Sequence, residues 1–261
     1  MRILKLLKQL SNDFSSIPSE AKNFPGFYLS NFFKLLLDRK IKTIGYIWHF
    51  FFRNKVYDEK LLRVGNYKIF PNNISKDSII YSCGIAKDIS FDEAISKKFN
   101  CDVFMFDPTE ESKKFMATVE NPKLKFFNIG IWKFNGDIKF YYHAKNSNLS
   151  ATNLLKSENF FTLPCKSIDK LMTEHNQNRI DVLKMDIEGA SFDILNDLFD
   201  KSIYPIQIVA ELERPFFIFN SNIYDLYLYL YKRRKLHKRL KILGYEVVEL
   251  DANEFLAIKN N

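Results

Sequence analysis

From about residue 79 onward the chain alternates short apolar runs with stretches of helical periodicity, and nothing else narrows its fold as much. Short apolar runs between turn formers read as strands, and the helical stretches between them read as crossovers. The pattern therefore predicts βαβ units around a parallel sheet. Ile79-Ile-Tyr-Ser82 is the first strand, followed by Gly84. A helix runs from about Ser90 to Phe99, with Ser90 as its cap and Glu93 three residues on. Asp102 to Asp107 is the second strand, stopped by Pro108, and Thr109 caps a helix to about Thr118. Leu124 to Ile129 is the third strand. Gly130 to Tyr142 alternates around Asn135-Gly136, which predicts a hairpin. Residues 143–163, rich in Asn, Ser, Thr and Lys, read as a long lid-like loop. Ser167 caps a short helix to about His175, Ile180 to Asp186 is the fourth strand, and a helix follows from Ser191 to Phe199. Ile206 to Leu212 is the fifth strand. Asn222 and Asp225 open a long helix that ends at Gly244. Tyr245–Leu250 and Glu254–Lys259 form a terminal hairpin, which puts one antiparallel strand into the sheet.

Composition excludes several alternatives. With 46% apolar and 27% charged residues, the chain has the balance of a globular protein rather than a disordered one. No apolar stretch approaches the roughly 20 residues of a membrane span. The best, Thr43 to Phe52, contains His49 and is bounded by Lys42 and Arg53. Lysines interrupt the first ten residues, so no secretory leader is expected. Three cysteines without a CxxC spacing argue against a disulfide framework or a cysteine zinc site, and they predict reduced thiols in the cytoplasm.

Charge divides the chain. Residues 1–70 hold thirteen Lys/Arg against five Asp/Glu, which accounts for the whole net charge of +8. Ile3, Leu6, Leu7 and Leu10 form an apolar stripe beside Arg2, Lys5 and Lys8. Arg39, Lys40 and Lys42 precede the run Tyr46, Ile47, Trp48, Phe50, Phe51 and Phe52. Residues 1–70 are thus expected to be a basic helical extension, and 71–261 the α/β domain. The extension suits either a structural cover on the domain or peripheral contact with an anionic membrane or lipid-linked substrate. No nucleic-acid motif is present, so that partner is not expected. A second basic run, Lys232 to Lys241, keeps Leu236, Leu240 and Leu243 in an inward stripe and reads as a solvated helix face.

Three segments fall at the carboxyl ends of successive strands, where doubly wound sheets bind ligands. The first is Tyr81-Ser82-Cys83-Gly84-Ile85-Ala86-Lys87-Asp88, with a glycine that lets the backbone turn and approach a ligand. The second is Phe106-Asp107-Pro108, whose carboxylate suits the two hydroxyls of an adenosine ribose. By spacing alone, this pair equally fits an ordinary α/β turn with a helix-capping Asp. The third is Ile180-Asp-Val-Leu-Lys-Met-Asp186-Ile187-Glu188-Gly189, with two carboxylates and a flexible turn at the mouth of the sheet.

With Leu163-Pro-Cys-Lys-Ser-Ile-Asp169 leading into it, this third block resembles the signature of the FkbM-type S-adenosylmethionine-dependent methyltransferases. Tyr81–Asp92 and Phe106–Thr109 look like one branch of that family, and the resemblance covers about residues 78–259. It implies a class I methyltransferase-like domain: a doubly wound, mostly parallel seven-stranded sheet with a C-terminal antiparallel strand. It implies S-adenosyl-L-methionine as cofactor, with Gly84 against its methionine part, Asp107 on its ribose hydroxyls, and Ser82 and Pro108 also among the cofactor-binding residues. Asn128 and Ile129 would lie by the adenine, and Asp186 by the amino group or the acceptor. Asp186, Glu188, Glu211 and Glu213 are then the catalytic candidates, with no metal assigned. Family habit points to O-methylation of a sugar, glycan or similar polyhydroxylated metabolite.

The chain departs from the pattern in two places. Ala86-Lys87 stands where many relatives carry a second small residue, and Glu211-Leu-Glu213 stands where a histidine base is expected. These departures keep a catalytically silent binding protein on the same fold as the alternative. A nicotinamide oxidoreductase is disfavoured, because no GxGxxG follows the first strand. His143 is a loop residue, and His49, His175 and His237 read as structural or surface residues.

Overall fold

The computed structural model describes residues 60–142, 149–150, 160–187, 189–212, 223–250 and 254–260. The predicted helices of residues 1–59, His143, Glu188 and Glu213 lie outside them. The described chain opens with β1 (Leu62–Val64) and β2 (Tyr67–Ile69), a short antiparallel hairpin. This corrects the expectation of helix up to residue 70. Leu62, Val64, Tyr67 and Ile69 alternate around Gly65-Asn66, a strand-and-turn pattern. Gly65 takes φ +57°, and a Cβ there would lie 2.4 Å from the Phe91 amide nitrogen. The turn therefore sits directly on the start of the first helix. Val64 and Ile69 are core residues.

The central sheet is built from β3 (Ile80–Cys83), β4 (Val103–Phe106), β5 (Leu124–Phe127), β10 (Val182–Met185), β11 (Gln207–Glu211), β12 (Tyr245–Glu249) and β13 (Glu254–Lys259). Their order is β12-β13-β11-β10-β3-β4-β5. The β5-β4-β3-β10-β11 pairs are parallel, and β13 runs antiparallel to both β11 and β12. This is the expected seven-stranded, doubly wound arrangement. Alternate residues of each strand feed two cores. Ile80, Val103, Met105, Val182 and Val209 face the hairpin and α1 (Ser90–Phe99). Tyr81, Phe106, Leu183, Met185, Ile208 and Ala210 face α3 (Ile168–Glu174), α4 (Ser191–Asp200) and α5 (Ile223–Ile242). Burial on both faces is why these strands read as continuous apolar runs. Each fully buried aliphatic side chain contributes about 1.5–3 kcal/mol.

Two further local readings change. Ser90 does not cap α1: it is the first helical residue, Ile89 holds the cap position, and the Asp88 Oδ1 accepts from the Ser90 amide at 2.9 Å. Thr109 does cap α2 (Glu110–Met116), accepting from the Ser112 amide at 3.2 Å. On α5 the basic run is not wholly solvated. Arg233 is buried and pairs with Glu249, while Leu236 and Leu240 point inward as expected.

A second sheet replaces the predicted hairpin and part of the predicted loop. It comprises β6 (Gly130–Ile131), β7 (Gly136–Tyr142), β8 (Leu149–Ser150) and β9 (Phe160–Lys166), in the order β6-β9-β7-β8. β9 lies between β6 and β7, parallel to the first and antiparallel to the second. Asn135 does not close a hairpin turn. Its Oδ1 accepts from the Ser167 amide at 3.0 Å and ties the loop to the start of α3. Phe160-Phe161-Thr162-Leu163 carries strand propensity, but the polar residues before it mask the strand. The three cysteines are free and buried, and burial pushes Cys83 and Cys165 up to about 12 and Cys101 up to about 11. No helix of the described residues is long and apolar enough to cross a membrane.

Candidate active site

A cleft of about 790 Å³ opens at the carboxyl ends of β3, β4 and β10. Of the expected site residues, Gly84, Asp107, Pro108, Asp186 and Glu211 line it. Ser82 is buried within β3, opposite Met105 and Lys184 in the sheet. Asn128 and Ile129 lie beside the cleft rather than in its lining. The Asn128 Nδ2 donates to the carbonyls of Asp107 and Thr109 at 3.0 and 3.1 Å and ties down the turn after β4.

The turn after β3 is held on every side. Gly84 has φ +80°, and a Cβ there would lie 1.8 Å from the Asp186 carbonyl oxygen, so the close approach of two loops requires glycine. Its amide donates to the Phe106 carbonyl at 3.0 Å, and its carbonyl accepts from the Lys184 Nζ at 2.5 Å. The amides of Ile85 and Ala86 both donate to the Asp107 Oδ2 at 3.0 Å. The Ser112 hydroxyl donates to the Ala86 carbonyl at 3.1 Å. Ala86 itself takes φ +47°. Beyond it, Asp88 accepts from the Ser90 amide and from the Asn66 Nδ2 in the hairpin turn, at 2.9 and 2.6 Å. The Ser90 bond leads in holding its carboxyl below the ordinary range.

Asp107 is only 6% exposed. Besides the two amides on Oδ2, its Oδ1 accepts from the Thr109 amide at 2.9 Å and the Thr109 hydroxyl at 2.6 Å.

Asp186 is different. Its Oδ2 accepts from the Tyr67 phenol at 2.8 Å, with the Lys184 ammonium 3.9 Å away. Among the described residues nothing bonds its Oδ1. Burial, then the negative charges of Asp186, Glu211 and Glu254, hold the Tyr67 phenol far above its usual range, so it remains a neutral donor. Glu211 and Glu254 stand opposite one another across β11 and β13. Lys184 is 3% exposed, with its Nζ 5.3 Å from the centre of the Tyr67 ring. On the same side Asp92 is fully buried. Burial raises its carboxyl to about 6, against the pull of Lys184.

Tyr67, Lys184 and Glu254 are site residues that the sequence reading missed. A lysine inside the apolar run Ile180–Asp186 was the available signal, since a buried strand retains an ammonium only where partners await it. Among the described residues no three His, Cys, Asp or Glu side chains converge as metal ligands. His237 is half-buried against Phe255 and Glu249, and desolvation depresses it to about 3.

The cleft's second wall comes from the four-stranded sheet. Phe140, Phe161 and Leu163 line it, and Phe161 is 48% exposed. A Cβ at Gly130 would lie 2.5 Å from the sulfur of its sheet partner Cys165 and 3.2 Å from the Pro108 ring, so β6 packs closely on the turn after β4.

Among solved structures, the chain is similar to the Methanococcus jannaschii fibrillarin pre-rRNA processing protein. The identity is 14%, with 79% of this chain and 84% of that one covered, at a TM-score of 0.42. It is similar to a chain of a fibrillarin/Nop5p complex at 7% identity, covering 72% and 75%, with a TM-score of 0.41. It is also similar to human N-acetylserotonin methyltransferase in complex with SAM, at 11% identity, covering 94% of this chain and 61% of that one, with a TM-score of 0.37. No curated protein matches the sequence. The Methyltransferase FkbM domain matches residues 51–246, a span that takes in the β1–β2 hairpin with Tyr67 as well as the loop and strand ends of the cleft. The chain belongs to the FkbM family of methyltransferases.

Proposed function

We propose that the chain is an S-adenosyl-L-methionine-dependent O-methyltransferase acting on a hydroxyl of a sugar, glycan or similar polyhydroxylated metabolite in the cytoplasm. The observation that carries this reading is Asp186 in the lining of a cleft of about 790 Å³, beside Gly84, with Oδ2 held by Tyr67 and Oδ1 unbonded among the described residues. The residues present fit the cofactor. Asp88, Asp186, Glu211 and Glu254 surround the cleft with carboxylates, which suit a ligand bearing a sulfonium and an ammonium. When bound, the cofactor supplies an electrophilic methyl group.

The chain's own residues do the rest. The loop from Gly84 to Asp88 is a fixed floor. Tyr67 and Lys184 hold Asp186 by one oxygen, and the other, unbonded among the described residues, would meet an acceptor hydroxyl or an ammonium. Orienting the acceptor oxygen is the larger contribution, about 7–11 kcal/mol for well-aligned reactants. A carboxylate that takes the hydroxyl proton at Oδ1 adds about 10²–10⁴-fold. Glu211, with Glu254 across the strand pair, is the second candidate acceptor.

The test is transfer of labelled methyl from S-adenosylmethionine to a panel of sugars, glycans and nucleotide sugars, with calorimetry of the cofactor alone. Labelled product supports the reading. Binding without transfer to any member favours the silent binding protein, and absence of binding defeats both. The charge excess of residues 1–70 supports peripheral contact with an anionic membrane or lipid-linked acceptor, and nucleic acid is not the proposed partner. Salt-sensitive binding to anionic vesicles tests that part, since screening shortens the field to about 8 Å at physiological ionic strength.

A further inference from the structure

An ionised carboxylate has room for about four hydrogen bonds. At Asp107 four donors reach it: the amides of Ile85, Ala86 and Thr109, and the Thr109 hydroxyl, whose one proton is shared with the Ser112 hydroxyl 2.7 Å away. All four belong to the chain, and the side chain is 6% exposed. The two amides on Oδ2 flank the one strained point of the loop. Ala86 lies at φ +47°, in the left-handed region that residues with a side chain resist. Its carbonyl is fixed from the other direction by Ser112, on the helix that Asp107 and Thr109 start. Position 86 therefore keeps a glycine-like backbone without a glycine, and the groups that enforce it are Asp107 and Ser112.

We propose that Asp107 is a positioning residue. With Ser112 it clamps Ala86 in the left-handed conformation and keeps the loop that lines the cleft in its binding shape before any ligand arrives. Its carboxylate serves the chain's own amides rather than the hydroxyls of a ribose. The second half of this proposal rests on reading the cleft as the S-adenosylmethionine site; the clamp itself does not.

Two measurements on the full chain decide it. The first needs no ligand. Amide hydrogen exchange in Asp107→Ala should rise at Ile85 and Ala86 by about 10–150-fold, the range that hydrogen bonds to a charged group are worth. The β10 amides should be unchanged. Asp107→Asn, which keeps one acceptor oxygen, should give a smaller rise at the same amides and covers the case in which the alanine variant fails to fold. Unchanged exchange at Ile85 and Ala86 overturns the clamp. The second measurement uses S-adenosylhomocysteine and its 2′,3′-dideoxy analogue as probes, on wild type, Asp107→Ala and Asp107→Ala with Ala86→Gly. The clamp predicts the same penalty for the missing hydroxyls with and without Asp107, and recovery of about fivefold in affinity when glycine relieves position 86. A penalty that disappears in Asp107→Ala, with no recovery from glycine, makes Asp107 the ribose acceptor and overturns the proposal. A wild-type chain that binds neither probe defeats the functional reading, while exchange in the ligand-free protein still decides the clamp.

Discussion

Asp107 and Asp186 end two strands of one sheet and border one cleft, yet their surroundings are opposite. Asp107 follows β4 with both oxygens filled by the protein's own donors. Asp186 follows β10 with one oxygen held by Tyr67 and the other unbonded among the described residues. A carboxylate bonded by the chain's own donors holds its turn in place, whereas one with an oxygen unbonded among the described residues has room for a proton or a ligand. Position at a strand end does not separate these roles, but counting donors does.

The comparison breaks first at Asp186. Asp186→Asn should lower methyl transfer by about 10²–10⁴-fold, the usual worth of a positioned proton acceptor, while its urea midpoint stays near that of wild type. Near-normal turnover would remove the open oxygen from the chemistry.

Asp107→Ala should do the reverse, costing about 2–4 kcal/mol of folding stability because four donors lose their acceptor. Overlapping urea curves would show that the donors find other partners.

Asp92 gives a third and smaller effect, with a sign set by pH. Its folded pKa of about 6 exceeds the ordinary value of 3.8, so the folded state holds the proton more tightly and loses that advantage as pH rises from about 4 through 6. Asp92→Asn should therefore be more stable than wild type by about 1–3 kcal/mol at pH 8, with the gain fading below pH 6. Urea titrations at pH 8 and pH 5 measure this, and a pH-independent difference would contradict the cause assigned.

The smallest change is expected from Tyr67→Phe. It removes one hydrogen bond, worth about 1 kcal/mol, and should reduce turnover less than Asp186→Asn does. If it matches Asp186→Asn in turnover, Tyr67 does more than orient the carboxylate.

Much of the fold was legible because a parallel sheet buried on both faces must carry apolar strands. Ile80–Cys83, Val182–Met185 and Gln207–Glu211 stood out for that reason, and the terminal hairpin by its Asp251-Ala-Asn253 break. The second sheet did not stand out. β6 and β7 are neighbours in sequence but are separated in space by β9, which arrives from beyond a polar stretch. The β1–β2 hairpin was obscured by grouping residues 1–70 on charge, although Leu62–Ile69 alternates around a turn. In the site, spacing picked out Gly84, Asp107 and Asp186 but not their duties. Those depend on which amides fold back onto which oxygen, and that is a three-dimensional fact. Arg233 likewise looked solvated within a basic run until its pairing with Glu249 placed it inside.

The three buried thiols have a practical consequence. With Cys101 near 11 and Cys83 and Cys165 near 12, almost none of each is thiolate at neutral pH, and each is shielded by packing. Alkylation must therefore wait for local opening, and its rate at each cysteine becomes a clock for the surrounding segment. Cys83 times the end of β3 beside the clamped loop, Cys101 the entry to β4, and Cys165 the pairing of β9 with β6 and β7. The unaltered chain thus carries three native reporters of breathing, one of them adjacent to the loop on which ligand binding would act.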